Sequence, residues 1–358
     1  MIFFYVDDIV IAYREPSKKA TDEVIKILKS TYSLQGGEPL QWFLGIEVVR
    51  DRKKGLIWLS QAEYAAKLVR LLTNRKKLPG SQMVPMRSDE LLPHDDRAPK
   101  HRIQAYQRMV GSILYAAVIT RPDVAFAASR LARFNQNPSP QHSEAAETVI
   151  DYLFSTRFYA LQLGGGDTFE VWSDASFADN TMDRKSSQGY VMKLFGGIIG
   201  WRANKQDTVT TSTTEAELLS LAQATKEAMF VQRLLSELGI KFEDPRIQLW
   251  CDNKQTIGLI NNELLTLRTK LRHVDIHNHW LREAAKDRIR VDHVGTKDML
   301  ADGLTKALSR QQFGGFREQL GLVNIEQRLV ERTVRKVTHE DLETLQDEFE
   351  GGEAEWQG

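Results

Sequence analysis

The chain has 358 residues, 42% of them apolar, and 48 Lys and Arg balance 48 Asp and Glu to a formal net charge of zero. That length and apolar content suffice for two or three domains with real cores. No run of about 18 apolar residues could span a membrane, no secretory leader pattern opens the sequence, and the single cysteine, Cys251, excludes an internal disulfide and gives no expectation of a Cys-based zinc site. A soluble protein of cytoplasm or nucleus is expected.

In chain order, residues 2–12 predict two short strands, with apolar runs flanking the polar pair Asp7 and Asp8 at a hairpin tip. ATDEVIKILKSTYS, from Ala20, has helical apolar spacing and acidic residues in its first turn. FLGIEVVRD and GLIWLSQ, joined by RKKG, predict a second hairpin, and QAEYAAKLVRLL, from Gln61, an amphipathic helix. Pro79, Pro85, Pro93 and Pro99 with mixed charges predict an extended linker over 73–102. YQRMVGSILYAAVIT, RPDVAFAASRLARF with Pro122 in a first helical turn, and SEAAETVIDYLFSTR then predict a helical segment over 103–163.

A composition change at GGGD, Gly164 to Asp167, opens another domain, 164–310. TFEVWSDAS, SQGYVMKLF and GIIGWRA are strand candidates, followed by a long helix from about Thr213 to Leu238. IQLWCDN reads as a strand, KQTIGLINN and HVDIHNHWLREAAKD as helices, IRVDHV as a strand and DMLADGLTKAL as a closing helix. The order describes a mixed α/β sheet with helices on its faces, in a chain that is α+β as a whole. Residues 311–358 form an extension whose stretch from Glu340 to Glu355 carries eight acidic and no basic side chains, and disorder is expected there.

Four acids interrupt apolar contexts: Asp174 and Asp252 at strand ends, Glu217 inside a helix and Asp302 in the closing helix. Each alone fits a cap or a turn. Four converging would need a cation to neutralise them, and oxygen ligands favour Mg²⁺ or Mn²⁺. Two such ions roughly 4 Å apart can activate water and stabilise the leaving oxygen in phosphodiester cleavage.

VWSDASFAD, DRKSSQGYV, TTSTTEAELLSLAQATKEA, LWCDNKQT and DMLADGLTKAL, in that order, resemble the ribonuclease H domain of copia-type retrotransposon polyproteins. The resemblance implies a five-stranded mixed sheet with flanking helices and a metal-dependent nuclease that cuts the RNA strand of an RNA·DNA hybrid. It assigns catalysis and two ions to Asp174 in SDAS, Glu217 in TEAEL, Asp252 in CDN and Asp302 in LAD. Glu215 is the competing helix position. The loop before the last helix, GTKD, lacks the histidine that many such enzymes carry there, and His293 lies earlier, within a strand.

Several residues are candidates for gripping a hybrid: Arg268, Lys270, Arg272 and His273 in RTKLRH, Arg184, Lys185 and Ser186 in DRKSS, and Asn253 in CDN. A solvated face is the bland alternative. His273 and His277 share a helix face, but no third zinc ligand follows. YVDD resembles the central metal motif of reverse transcriptases, and FLGIEVVRD, LSQAEYAAKLV and YQRMVGSILYAAVITRPDVAFAASRL continue the likeness through the connection region. On that resemblance residues 1–72 are a truncated palm and thumb-like part, Asp7 and Asp8 an incomplete polymerase metal pair, and a separate chain is the candidate source of the missing polymerase half. Two functions are therefore carried forward: a working ribonuclease H, and an inactive transposon remnant that only binds nucleic acid.

Overall fold

A computed structural model describes residues 1–6, 8–37, 39–72, 82–87, 91–262 and 264–330. Asp7, part of the expected 73–102 linker and the acidic tail lie outside them. β1 (Ile2–Tyr5) and β2 (Asp8–Ile11) form the expected antiparallel hairpin, with Tyr5 opposite Asp8. Helix α1 (Lys18–Thr31) follows and buries none of its side chains.

The next elements are β3 (Trp42–Phe43), β4 (Ile46–Asp51), β5 (Leu56–Ser60) and α2 (Ala62–Lys67). The helix expected from Gln61 is shorter than its spacing suggests, because it tightens into a 3₁₀ turn over Leu68–Leu71. Then come α3 (Lys100–Ile119), a 3₁₀ turn at Pro122–Val124, α4 (Ala125–Ala132) and α5 (Pro140–Ser155). At the start of α5, the Ser139 hydroxyl accepts from the His142 amide and His142 Nδ1 accepts from the Ser139 amide. Strand β6 (Tyr159–Leu163) closes a segment expected to be helical throughout.

The second half runs β7 (Phe169–Ser176), β8 (Ser187–Leu194), β9 (Gly197–Lys205), α6 (Thr213–Glu237), β10 (Ile247–Cys251), α7 (Lys254–Asn261), α8 (Arg272–Ala285) and β11 (Ile289–His293). The expected closing helix over DMLADGLTKAL is a correction: only one turn forms, α9 (Asp302–Thr305). Met299, Leu300, Ala301 and Leu304 are all buried, so packing on every side overrides the helical spacing of this stretch. The longer helix comes later, as α10 (Arg310–Gln319), set by a Ser309–Gln312 capping box. β12 (Leu322–Asn324) and α11 (Glu326–Val330) end the described chain.

The expected five-stranded mixed sheet is present, in the order β11-β10-β7-β8-β9, with β10 parallel to both β11 and β7 and the β7-β8-β9 pairs antiparallel. A second sheet, β12-β6-β5-β4-β3, is antiparallel throughout. It draws β12 from beyond residue 310 and β6 from before residue 164, so chain segments distant in sequence complete one structure. Gly197 allows the close approach of the two sheets, since a Cβ there would lie 2.5 Å from the Leu163 Cα.

The mixed sheet is covered on both faces. Val171 and Leu249 pack with Leu218 and Leu221 of α6 and Leu281 of α8. Val191 and Ile198 pack instead with Tyr106, Ile113, Leu131 and Leu153 of the connection helices, joined by Leu304 and Phe313. A buried polar knot ties those helices together. Arg121 Nε and Nη2 donate to the two Asp123 carboxylate oxygens at 2.9 and 2.7 Å, Nη2 also to Thr156 Oγ1 at 2.7 Å, and the Tyr152 hydroxyl to Asp123 Oδ2 at 2.6 Å. Both charged side chains are essentially out of solvent. Burial pulls the Arg121 guanidinium down, but the Asp123 charge outweighs it and keeps the ion pair.

Breaking a buried pair by removing one member leaves the other charge uncompensated. Arg121→Met should therefore cost about 3–5 kcal/mol, read as a lower urea midpoint. A change under about 1 kcal/mol would show that Asp123 finds another partner.

Candidate metal centre

β7 and β10 are parallel neighbours, with Leu249 opposite Val171 and Trp250 opposite Trp172, so their carboxyl ends emerge side by side. Asp174 lies near the end of β7 and Asp252 directly follows β10. α6 brings Glu217 across them, and α9 opens with Asp302. Carboxylate oxygens of Asp174, Asp252 and Asp302 lie within 4.8 Å of one another, as do ligand atoms of Glu217, Cys251 and Asp252. The four acids singled out in the sequence are thus brought together.

Local contacts fix each one. The Ser173 hydroxyl donates to Ser220 Oγ at 2.9 Å, and Ser220 Oγ donates to the Asp174 carbonyl at 2.9 Å, which pins α6 to β7 one turn beyond Glu217. Gln206 Nε2 donates to the Ala216 carbonyl at 2.8 Å. Opposite Asp174 on β8 stands Gly189, where a Cβ would lie 2.7 Å from Leu304 Cβ. That absence of a side chain lets α9 sit on the sheet, and Thr305 Oγ1 donates to Asp174 Oδ2. The Ala175 amide donates to Glu217 Oε1 at 3.4 Å, while Glu217 Oε2 is buried without a hydrogen-bond partner.

Burial first, then the Asp302 and Asp252 charges, push Asp174 up to about 6 against the pull of the Thr305 hydrogen bond. Burial and the charges of Asp174 and Asp252 hold Glu217 well above the carboxylate range. Asp252 is raised by burial and by Asp302, with Lys306 and His293 opposing. Lys306 Nζ lies 2.8 Å from Asp302 Oδ1, and this bond outweighs burial to raise the ammonium. Glu215 is different: its Oε2 accepts from the Thr211 amide at 2.6 Å and hydroxyl at 2.7 Å, and despite burial such bonds hold it low. It belongs to neither acidic group.

An open cleft of about 430 Å³ reaches three of the acids, Asp174, Glu217 and Asp252, and is bordered by Phe177, Asn253, Thr305 and Lys306. Buried like charges with raised pKa values and an unpartnered Glu217 oxygen are what oxygen-seeking divalent cations would relieve, so the residues present fit such ions. Thr305 and Lys306 were missed in the sequence, where a polar pair after LADGL reads as the solvent side of a helix.

The substrate candidates divide. Arg184 is exposed and holds a left-handed φ of 57°, Lys185 is half-buried, and Arg268, Lys270 and Arg272 are exposed. His273 Nε2 lies 3.2 Å from Thr208 Oγ1. Asn253 borders the cleft while its side-chain oxygen caps α7 by accepting from the Thr256 amide at 3.0 Å. Ser186 is a correction: it is fully buried, its Oγ accepting from the Ala178 amide at 3.0 Å and lying 3.2 Å from Thr210 Oγ1, because the β7–β8 loop folds over it. Its hydroxyl supports the loop rather than facing a ligand. His293 ends β11, exposed, beside Cys251. Asp8 is exposed and joins no group of metal-ligating side chains among the described residues. No helix among the described residues is long and apolar enough to cross a membrane.

No protein-family model matches the chain. It is 32% identical over 329 residues to the retrovirus-related Pol polyprotein from transposon TNT 1-94 of Nicotiana tabacum, covering 90% of this chain and 24% of that protein. To the Pol polyprotein from transposon RE1 of Arabidopsis thaliana it is 33% identical over 325 residues, 90% of this chain and 21% of that one. The chain thus spans under a quarter of the length of these two relatives. A transposon Ty5-1 protein of Saccharomyces cerevisiae, YCL074W, is 31% identical over 230 residues, 63% of this chain and 73% of that protein. Among solved structures, RNase H1 from Halobacterium salinarum aligns with 38% of this chain and 93% of its own at 17% identity and a TM-score of 0.28.

A carboxyl whose folded pKa is raised stabilises the fold fully at low pH, and that contribution is lost as pH rises from its unfolded value through the folded one. Without divalent ions, Asp174→Asn should gain on the wild type between about pH 4 and pH 7, by up to about 3 kcal/mol, in parallel urea titrations. A constant gap across that range would contradict the raised value.

Proposed function

Because the chain belongs to the Pol polyproteins of copia-type retrotransposons, we propose that Asp174, Glu217, Asp252 and Asp302 form a ribonuclease H-type centre that hydrolyses the RNA strand of an RNA·DNA hybrid. The observation that carries this reading is the convergence of four acids, from two adjacent strand ends and two helices, at an open cleft that three of them line, with Asp302 joining Asp174 and Asp252 beside it. The four would hold Mg²⁺ or Mn²⁺, which would supply Lewis-acid polarisation of the scissile phosphate and a more acidic attacking water. Asp174 is oriented by Thr305, and Glu217 by the Ala175 amide and the serine pair behind it. Lys306 offers a positive charge beside the cleft to a phosphate oxygen or a leaving group.

Arg184, Lys185, Arg268, Lys270 and Arg272 would grip the hybrid backbone by charge, reading its shape and 2′-hydroxyls rather than its sequence. On the same reading residues 164–310 carry the catalytic unit, residues 103–163 and the described part of 311–358 support it, and Asp7 and Asp8 belong to a polymerase metal motif.

The deciding assay is cleavage of a labelled RNA·DNA hybrid with Mg²⁺. Cleavage is expected with the full chain, is lost with chelator, and falls by more than about 100-fold in Asp174→Asn and Asp252→Asn, beyond what loss of a mere supporting partner of a metal ligand costs. An unmutated, folded protein that binds hybrid but leaves it intact would overturn the proposal in favour of an inactive nucleic-acid binder. Replacing Arg268, Lys270 and Arg272 by Ala should raise KM and flatten its salt dependence while leaving kcat nearly unchanged. An unchanged salt slope would remove these residues from the interface.

A further inference from the structure

Behind the acidic centre lies a sulfur donor that magnesium chemistry does not use. Cys251 ends β10 with its thiol turned into the core beneath α6, fully buried, and the Asn253 amide lies 3.4 Å from its Sγ. Ligand atoms of Cys251, Glu217 and Asp252 all lie within 4.8 Å of one another. Glu217 is 3% exposed, and its buried Oε2 has no hydrogen-bond partner. Hard ions such as Mg²⁺ take oxygen ligands and leave a thiol alone, whereas softer ions prefer sulfur. One sulfur and two carboxylates in a compact set make a site of the other kind.

We propose that Glu217, Cys251 and Asp252 form a binding site for a thiophilic divalent cation of the zinc and cadmium class, overlapping the acidic centre through Glu217 and Asp252. Burial and then the Glu217 charge push the Cys251 thiol up. On binding, the S–H bond breaks, a metal–sulfur bond forms and the proton leaves to solvent. The dication reverses the local electrostatics that disfavour the thiolate. With three protein ligands, the ion keeps a coordination position open to water from the cleft. Because it takes two of the four acids, it competes with any ion held there through oxygen alone. The assignment rests on the donor set itself and stands whether or not the chain cleaves hybrids.

The test is titration of the folded, metal-free full chain with Cd²⁺, read as the ultraviolet charge-transfer absorption of a cadmium–thiolate bond. Cys251 is the chain's single cysteine, so any such band reports on it alone. Saturation at one ion per chain, with circular dichroism unchanged, is expected. Glu217→Gln keeps the thiol and should shift the midpoint to at least about 10-fold higher Cd²⁺. Cys251→Ala should abolish the band. No band at saturating Cd²⁺, a band that appears only as the fold is lost, or an unshifted midpoint in Glu217→Gln would each overturn the site. Hybrid cleavage by the same preparation in Mg²⁺ tests the nuclease reading separately.

Discussion

Mutual repulsion among buried carboxylates is the constraint around which the second half of the chain is arranged. Each of Asp174 and Glu217 would cost several kcal/mol to bury charged and alone, and crowding them together raises that cost. Only a surrounding structure with strong independent reasons to form can hold them in place. The parallel pairing of β7 with β10, the serine bridge from β7 to α6, and the seating of α9 over Gly189 supply those reasons. None of them depends on the acids being charged.

Packing for that arrangement comes in part from outside the mixed sheet and its own helices. One face is covered by its own helices, α6 and α8, but the other is completed by α3, α4 and α5, which precede it in sequence, and by Phe313 and Phe316, which follow it. The polar knot of Arg121, Asp123, Tyr152 and Thr156 fixes the geometry of those helices. Shared burial of this kind makes the strand ends rigid from both sides, and rigidity is what a site built from like charges needs.

Much of this was legible in the sequence because the signals were local. Alternation in FEVWSDAS and IQLWC marked β7 and β10, and acids interrupting apolar runs marked Asp174 and Asp252. TEAEL offers Glu217 with Glu215 as the competing position; in the helix the Thr211 amide and hydroxyl take Glu215, while Glu217 borders the cleft. What was not legible depended on distant partners. β12 exists because β6 offers it an edge, and α9 stops after one turn because its neighbours bury both of its sides. Ser186 sits in a basic, hydroxyl-rich motif suited to phosphate, yet the loop turns it inward, a fact no spacing rule contains.

Charge balance separates the bare site from any loaded one. Four acids against Lys306 would leave three uncompensated negative charges if all ionised, and burial and this crowding raise Asp174, Asp252 and Glu217 above the ordinary carboxylate values. Protons neutralise charge but donate hydrogen bonds in fixed directions, and Glu217 Oε2 finds no partner among the residues around it. A dication neutralises two charges at once and accepts lone pairs from several directions. The same acids that disfavour a thiolate at Cys251 would stabilise a cation beside it, so the pocket that resists ionisation of its sulfur in the bare protein is the one that would bind a sulfur-seeking ion.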